Sequence, residues 1–311
     1  MKSLLIRILH VLRAEDLIKI VSDPFDLRIV CYHSVGNNHS FLPQRLYISP
    51  DNFKEQLTAI KRYFRIISFE QLEEVHTQRI PFPIIITFDD GLIDNHNVVL
   101  PILEELGIKA TFNLNTLPLE DGEMLWTHNL HMLYRTCGGE TLKKSLLKKG
   151  DADTRDGELG LIKYVANTYS HEELSDRLQQ LNRAHQLRLD GSKLYMGPVE
   201  IKELVVRGMT LGCHGRTHSN LAHSTDIERE VVYAKELLQA LSKREVATFA
   251  YPFGDADSFN EVSHEYLKKH FRNVCTTLPR INKEQGQSIY HRICSYEMPG
   301  EKLVLKLLLG I

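Results

Sequence analysis

The chain has 311 residues, 42% of them hydrophobic and 25% charged, and 38 Lys+Arg against 40 Asp+Glu leave a formal net charge of −2. This is the make-up of a folded protein of one large domain or two small ones, and it excludes a disordered chain, a collagen-like repeat and a disulfide scaffold. So even a balance provides no basic surface of the kind that binds nucleic acid, and no nucleic-acid partner is expected.

Met1 to Val21 has leucines and isoleucines at helical spacing (Leu4, Leu5, Ile8, Leu9, Leu12). Arg7, His10, Arg13, Glu15, Asp16 and Lys19 interrupt it, so it holds no continuous apolar core of a signal peptide. Residues 1–26 are therefore expected to form an amphipathic helix. It either packs on the domain or lies on a membrane surface, with Lys2, Arg7 and Arg13 near anionic headgroups. Short apolar runs then read as buried parallel strands: Arg28–Tyr32, Ile84–Phe88, Ala110–Leu114, Met209–Cys213, Ala247–Ala250 and Asn273–Thr276. Helical signals lie between them. Ser49-Pro50 opens a helix, Asn97–Leu106 stops at Gly107, and Ser170–Glu173 and Thr225–Glu228 match capping boxes. Strands alternating with helices indicate βα units around a parallel sheet. Residues 120–196 break that rhythm and read as a helical insertion within a domain spanning 27–295, whose lysine run Lys143-Lys144…Lys148-Lys149 suits a solvated face. Residues 296–311, with Leu303, Leu305 and Leu307–Leu309, form a second amphipathic helix open to the same two roles as the first.

The five cysteines (Cys31, Cys137, Cys213, Cys275, Cys294) are widely spaced and include no Cys-x-x-Cys pair, which fits buried thiols in a reducing compartment. With no apolar run long enough to span a bilayer, the expected location is cytoplasmic, with the terminal helices offering peripheral contact to the inner face of the membrane.

Four strand ends carry chemistry. Ile84-Ile85-Ile86-Thr87-Phe88 runs into Asp89-Asp90-Gly91, and in parallel α/β folds functional groups gather beyond the carboxyl ends of strands. Adjacent residues there point in different directions, so one carboxylate can bind a metal while the other handles a proton. Asp-Asp-Gly alone also suits a solvated turn. Met209–Cys213 runs into His214-Gly215-Arg216-Thr217-His218, whose two imidazoles four residues apart can reach one cation. Two histidines and one aspartate make a three-ligand site with open positions. The third strand end, Phe249-Ala250, leads into Tyr251-Pro252-Phe253-Gly254, a turn whose backbone N–H groups can face an oxyanion. The fourth, Cys31-Tyr32-His33-Ser34, closes the first strand with an imidazole that suits either a structural or a catalytic role.

Thr87–Gly91, His214–His218 and Tyr251–Gly254, in this order and at this separation, resemble the successive motifs of polysaccharide deacetylases of the NodB-homology type, carbohydrate esterase family 4. The resemblance runs from about Leu27 to Ser295. Tyr32-His33 and Leu194–His218 look most like the subgroup of exopolysaccharide and poly-N-acetylglucosamine deacetylases. It implies a distorted (β/α) barrel of about seven parallel strands, with Asp89 as general base and Asp90, His214 and His218 as ligands of one divalent metal. Zinc is the default for such ligands, and cobalt, nickel or iron fit them too. It further implies N-deacetylation of an acetamido sugar in a polysaccharide or glycan precursor, with Tyr251, Pro252 and Phe253 on the oxyanion side. A glycan-binding protein with this fold and little turnover is the alternative. Two positions depart from the family pattern. Ala250 stands where many members have an arginine that orients the base, and Arg292 is the candidate substitute. The late motif that supplies the general acid is not recognisable, which makes His33 the candidate acid and His291 the runner-up.

Overall fold

The strands form where β-branched and aromatic residues run together, and they lie side by side because both faces of each are apolar. In the computed structural model, residues 23–36, 41–148, 150, 157–188, 190–283 and 287–311 are described. The expected helix over residues 1–26 lies almost wholly outside them.

The strands are β1 (Arg28–Tyr32), β2 (Ser34–Val35), β3 (Tyr47–Ile48), β4 (Arg65–Ile66), β5 (Pro83–Phe88), β6 (Thr111–Leu114), β7 (Thr210–Cys213), β8 (Thr248–Ala250), β9 (Asn273–Thr276), β10 (Ile289–His291) and β11 (Ile293–Cys294). Among the described residues, nine of these form one parallel sheet, in the order β10-β9-β8-β7-β6-β5-β1-β11 with β4 against the first residues of β5. The two ends of that order, β10 and β11, are one stretch of chain split only by Arg292. Its first half pairs with β9 and its second half with β1, so this stretch closes the sheet into a nearly complete barrel. The expected (β/α) barrel of about seven parallel strands is what the structure has, with β10 and β11 counted as one stave. Sequence reading had no basis for β4, β10 and β11, because two or three residues are too few to show a period.

The helices are α1 (Pro50–Tyr63), α2 (Leu72–Gln78), α3 (Leu100–Leu106), α4 (Leu117–Asp121), α5 (Trp126–Cys137), α6 (Gly139–Leu146), α7 (Gly157–Thr168), α8 (His171–Ala184), α9 (Pro198–Val206), α10 (Ala234–Ser242), α11 (Glu261–His270) and α12 (Gly300–Leu309). Alternation along the staves separates two apolar regions. Val30, Ile84, Ile86 and Phe88 face the surrounding helices, whereas Ile29, Ile85, Ala250 and Cys275 fill the inside of the barrel. The insertion, α5 to α8, has its own core of Leu130, Leu133, Leu142, Leu161, Val165 and Leu174, joined to the barrel through Phe253. Capping follows the sequence at Ser49 and Ser170. At the other expected box the cap is one residue later: Asp226, not Thr225, accepts the Arg229 N–H at 3.0 Å, because the helical turn begins at Ile227.

The C-terminal helix takes one of its two expected roles, packing on the domain. Leu303, Val304, Leu307 and Leu308 of α12 are fully buried in the outer core, packed on α1. Gly300 permits the close approach: a Cβ there would sit 2.9 Å from the Ala59 Cβ. Beside it the Gln56 amide is satisfied by Tyr32 and Ser295 hydroxyls on one side and the Tyr296 and Met298 carbonyls on the other, which ties α1 to β1 and to the chain after β11. No helix among the described residues is long and apolar enough to cross a membrane. Truncating Leu307 to alanine is expected to destabilise the fold by about 2–5 kcal/mol. Denaturant unfolding measures this, and a loss within about 0.5 kcal/mol, the range of an exposed position, would contradict it.

Candidate active site

Alternation in β5 turns Thr87 and then Asp89 toward the inside of the barrel. The ladder continues past the strand, since the Asp89 N–H donates to the Tyr32 carbonyl at 2.9 Å. The next residue would face outward in a regular strand. Instead Asp90 and Gly91 both take left-handed backbone conformations (φ 73° and 71°), which aspartate and glycine tolerate better than most residues. Both adjacent carboxylates thereby reach the same barrel mouth.

Asp89 is 1% exposed and almost fully occupied. Arg292 grips it with both nitrogens, Nη1 to Oδ1 at 2.7 Å and Nη2 to Oδ2 at 2.8 Å. The Asn113 amide donates to Oδ1 at 2.7 Å and the Cys31 thiol to Oδ2 at 3.3 Å. Asn113 reaches across because Gly212 stands beside it: a Cβ at Gly212 would lie 2.0 Å from the Asn113 Oδ1. Burial alone would raise the Asp89 pKa, but the Arg292 charge, with His214 behind it, holds the carboxyl well below the usual range. Ala250 is an inward, fully buried position on β8, so the guanidinium that pairs with Asp89 comes from Arg292 on the closing stave instead.

The second carboxylate meets imidazoles. Asp90 Oδ1 lies 3.5 Å from His214 Nε2 and 3.6 Å from His218 Nε2. The His214 Nδ1–H donates to the Ala250 carbonyl at 2.8 Å, which leaves the Nε2 lone pair aimed at Asp90. Burial pushes both imidazoles toward the neutral form, His218 to about 3, with Asp90 opposing the shift. His218 has φ 62°, its ring meets Phe253 edge-on at 4.9 Å, and its carbonyl accepts the Trp126 indole N–H at 3.2 Å.

These residues fit a divalent cation. Bonds of about 2.0–2.2 Å at tetrahedral angles place ligand atoms roughly 3.4 Å apart, close to the spacing found here. Two neutral imidazoles and one carboxylate are also the donor chemistry such ions take. Asp90 Oδ1, moreover, is buried with no hydrogen-bond partner among the described residues, a costly state for a carboxylate oxygen unless a cation meets it.

The other expected site residues divide. His33, two residues beyond Cys31 and on the same face, has a donor atom within 4.8 Å of both the Cys31 sulfur and an Asp89 oxygen. Its Nδ1 is buried without a hydrogen-bond partner among the described residues. His291 points to the other side of its strand from Arg292 and bonds the Thr276 hydroxyl at 2.8 Å. Tyr251 is placed in the barrel wall. Its N–H is spent on the Cys275 carbonyl at 2.9 Å, and its fully buried ring puts its hydroxyl on His264 at 2.8 Å, so it belongs to the core. Pro252 has no N–H to offer. Phe253 remains: it adopts φ 62°, stands against His218, and its N–H makes no hydrogen bond among the described residues.

His128 was missed. This 3% exposed imidazole, from α5 in the insertion, has Nε2 3.4 Å from Asp90 Oδ2. Trp126-Thr127-His128 carries no strand-end signal, so only the folded insertion reveals it.

Residues 162–271, which include His214, His218 and the Tyr251–Gly254 turn, match the sequence model of the polysaccharide deacetylase family. The resemblance drawn from the motifs is borne out. In structure the barrel is similar to the deacetylase PplD of Streptococcus pyogenes, solved with acetate (TM-score 0.62, 19% identity, 92% of this chain and 99% of that one). It is similar also to a polysaccharide deacetylase from Bacillus cereus (TM-score 0.62, 18% identity, 91% and 69%) and to IcaB from Ammonifex degensii (TM-score 0.58, 16% identity, 92% and 97%). At these identities the structural likeness speaks to the fold. No curated protein matches the chain in sequence.

Replacing Arg292 with methionine leaves the Asp89 charge buried without its partner, and is expected to destabilise the fold by about 3–5 kcal/mol at neutral pH. The sign with pH follows from the depressed pKa of Asp89 in the folded protein. The pair stabilises fully above the unfolded aspartate value of about 3.9 and fades as pH falls toward the folded value, while the unpaired carboxyl of the variant is relieved by taking up a proton. The gap between wild type and variant should therefore narrow on acidification toward about pH 4. A gap constant with pH in denaturant titrations would show that the loss is one of packing alone.

Proposed function

We propose that this protein is a metal-dependent hydrolase that removes N-acetyl groups from an acetamido sugar in a polysaccharide or glycan precursor. The observation that carries the reading is the convergence of Asp90 Oδ1, His214 Nε2 and His218 Nε2 beside a second carboxylate that is separately held by Arg292. The family match and the motif order support the acetamido-sugar substrate. Zinc suits the donor set best, and cobalt, nickel or iron fit it as well.

A divalent cation held by Asp90, His214 and His218 would polarise the acetamide carbonyl and make a neighbouring water more acidic. Asp89, held as a carboxylate by Arg292, takes the proton from the attacking water. A carboxylate held this firmly is a weak base, so Arg292 and Asn113 serve to fix its direction more than to strengthen it. The Phe253 N–H, which makes no hydrogen bond among the described residues and sits beside His218, is the backbone donor assigned to the developing oxyanion. His33 gives a proton to the leaving amine, because an amide anion cannot depart in water. The products are acetate and a free amino sugar.

Acetate release from chitooligosaccharides, with and without added metal after chelation, tests the reading. Release is expected to require the metal and to fall by about 10²–10⁴-fold in Asp89→Asn, which keeps the metal ligands. Metal-independent release, or none from any acetamido sugar, would overturn it. Removing the acid as His33→Ala should cost a similar factor on the amide and much less on an activated aryl acetate ester, whose leaving group needs no proton. Equal losses on both substrates would assign His33 to positioning instead.

A further inference from the structure

His128 reaches the barrel mouth from the insertion, and its surroundings determine which of its nitrogens carries the proton. Nδ1 lies 2.5 Å from the Tyr195 hydroxyl. That hydroxyl already accepts the Leu125 N–H at 3.1 Å, so its own proton is free to point at Nδ1. A phenol has one proton to give and keeps it at neutral pH. That proton has no other acceptor among the described residues, which makes Nδ1 the acceptor and puts the imidazole hydrogen on Nε2. Nε2 is the atom 3.4 Å from Asp90 Oδ2. The ring plane is fixed as well, stacked on Tyr195 at 5.7 Å and 17° and met edge-on by Phe41 at 5.8 Å.

We propose that His128 is a positioning residue for Asp90: held in one tautomer by Tyr195, it occupies Oδ2 from the insertion side and so presents Oδ1 to the cation. This rests on the metal-dependent reading of the site. Oδ1 is the oxygen that faces His214 and His218 and that is left without a hydrogen bond. His128 is not itself a ligand, since its Nε2 is protonated and it stands outside the cluster of mutually close donor atoms formed by Asp90, His214 and His218. The consequence is that the helical insertion is part of the metal centre, although none of the strand-end motifs lies in it. Asp90 is gripped by groups from two independent layers, the barrel loops and α5, and neither alone fixes both carboxylate oxygens.

The test uses the full chain stripped of metal and titrated with cobalt against a chromophoric chelator. His128→Leu, which keeps bulk and removes the donor, is expected to weaken cobalt binding by about 10–100-fold. His128→Gln, whose side-chain amide can donate from nearly the same place, should recover most of that loss. Equal affinity in wild type and His128→Leu overturns the inference while leaving the function standing. A wild-type protein that binds no cobalt overturns the metal reading and this inference with it. Should His128→Leu fail to fold, imidazole ¹⁵N shifts of the wild-type zinc protein decide the matter. A protonated Nε2 and an unprotonated Nδ1 on His128 support positioning, and a deprotonated Nε2 would make it a ligand and overturn the proposal.

Discussion

Arg292 and Asp89 form a two-pronged ion pair with neither side chain more than 1% exposed. Its placement gives it consequences beyond the two residues. Arg292 sits between β10 and β11, where the chain stops pairing with β9 and begins pairing with β1. Its backbone N–H and its Nε both reach the Thr276 carbonyl, and Nη1 touches the Thr87 hydroxyl, so the guanidinium spans the closure from one side to the other. A buried pair of this kind costs several kcal/mol per ion in desolvation and recovers it only when the geometry is nearly complete. Here it is complete, because the planar fork of arginine matches the carboxylate and the remaining oxygen capacity is taken by Asn113 and Cys31.

Two adjacent aspartates could share one fate; here their surroundings separate them. Asp89 faces a guanidinium and amide and thiol donors, which fix it as an anion with little freedom. Asp90 faces imidazoles on both oxygens and keeps one oxygen unfilled. The left-handed backbone at Asp90 is what lets neighbours in sequence occupy such different environments in one mouth. The same device appears at His218 and Phe253, each with positive φ, so the loops after three different staves are all bent back over the opening.

Much of this was legible in the sequence. Ile84–Phe88 announces a buried strand by its apolar run, and the polar residues beyond it mark the end of the barrel where the carboxylates gather. Asp90, His214 and His218 could be grouped because each follows such a run. What stayed hidden depends on distance in space without a local pattern. The stave carrying Arg292 is split into pieces of three and two residues, too short for any periodic signal. His128 sits in a helix whose sequence speaks only of amphipathic packing. Tyr251 misled for the opposite reason: it lies inside a motif, but its N–H continues the β-ladder to Cys275, so it serves the barrel wall. The C-terminal helix showed an apolar face without showing what covers it, and only α1 answers that.

The closing stave has a bearing on how the protein comes into being. Asp89 and the arginine that neutralises it are 203 residues apart. During synthesis the first staves and the whole insertion emerge long before Arg292 does. Until then the Asp89 side chain has no cation with which to enter the barrel, and the sheet has an open edge along β1 and another along β9. Contacts of such long range are slow to form, and unpaired edges invite association with other chains while they wait. The order of the chain therefore brings the cation that neutralises Asp89 only with the closing stave, so incomplete chains carry an unpaired carboxylate beside open edges and depend most on protection from their neighbours.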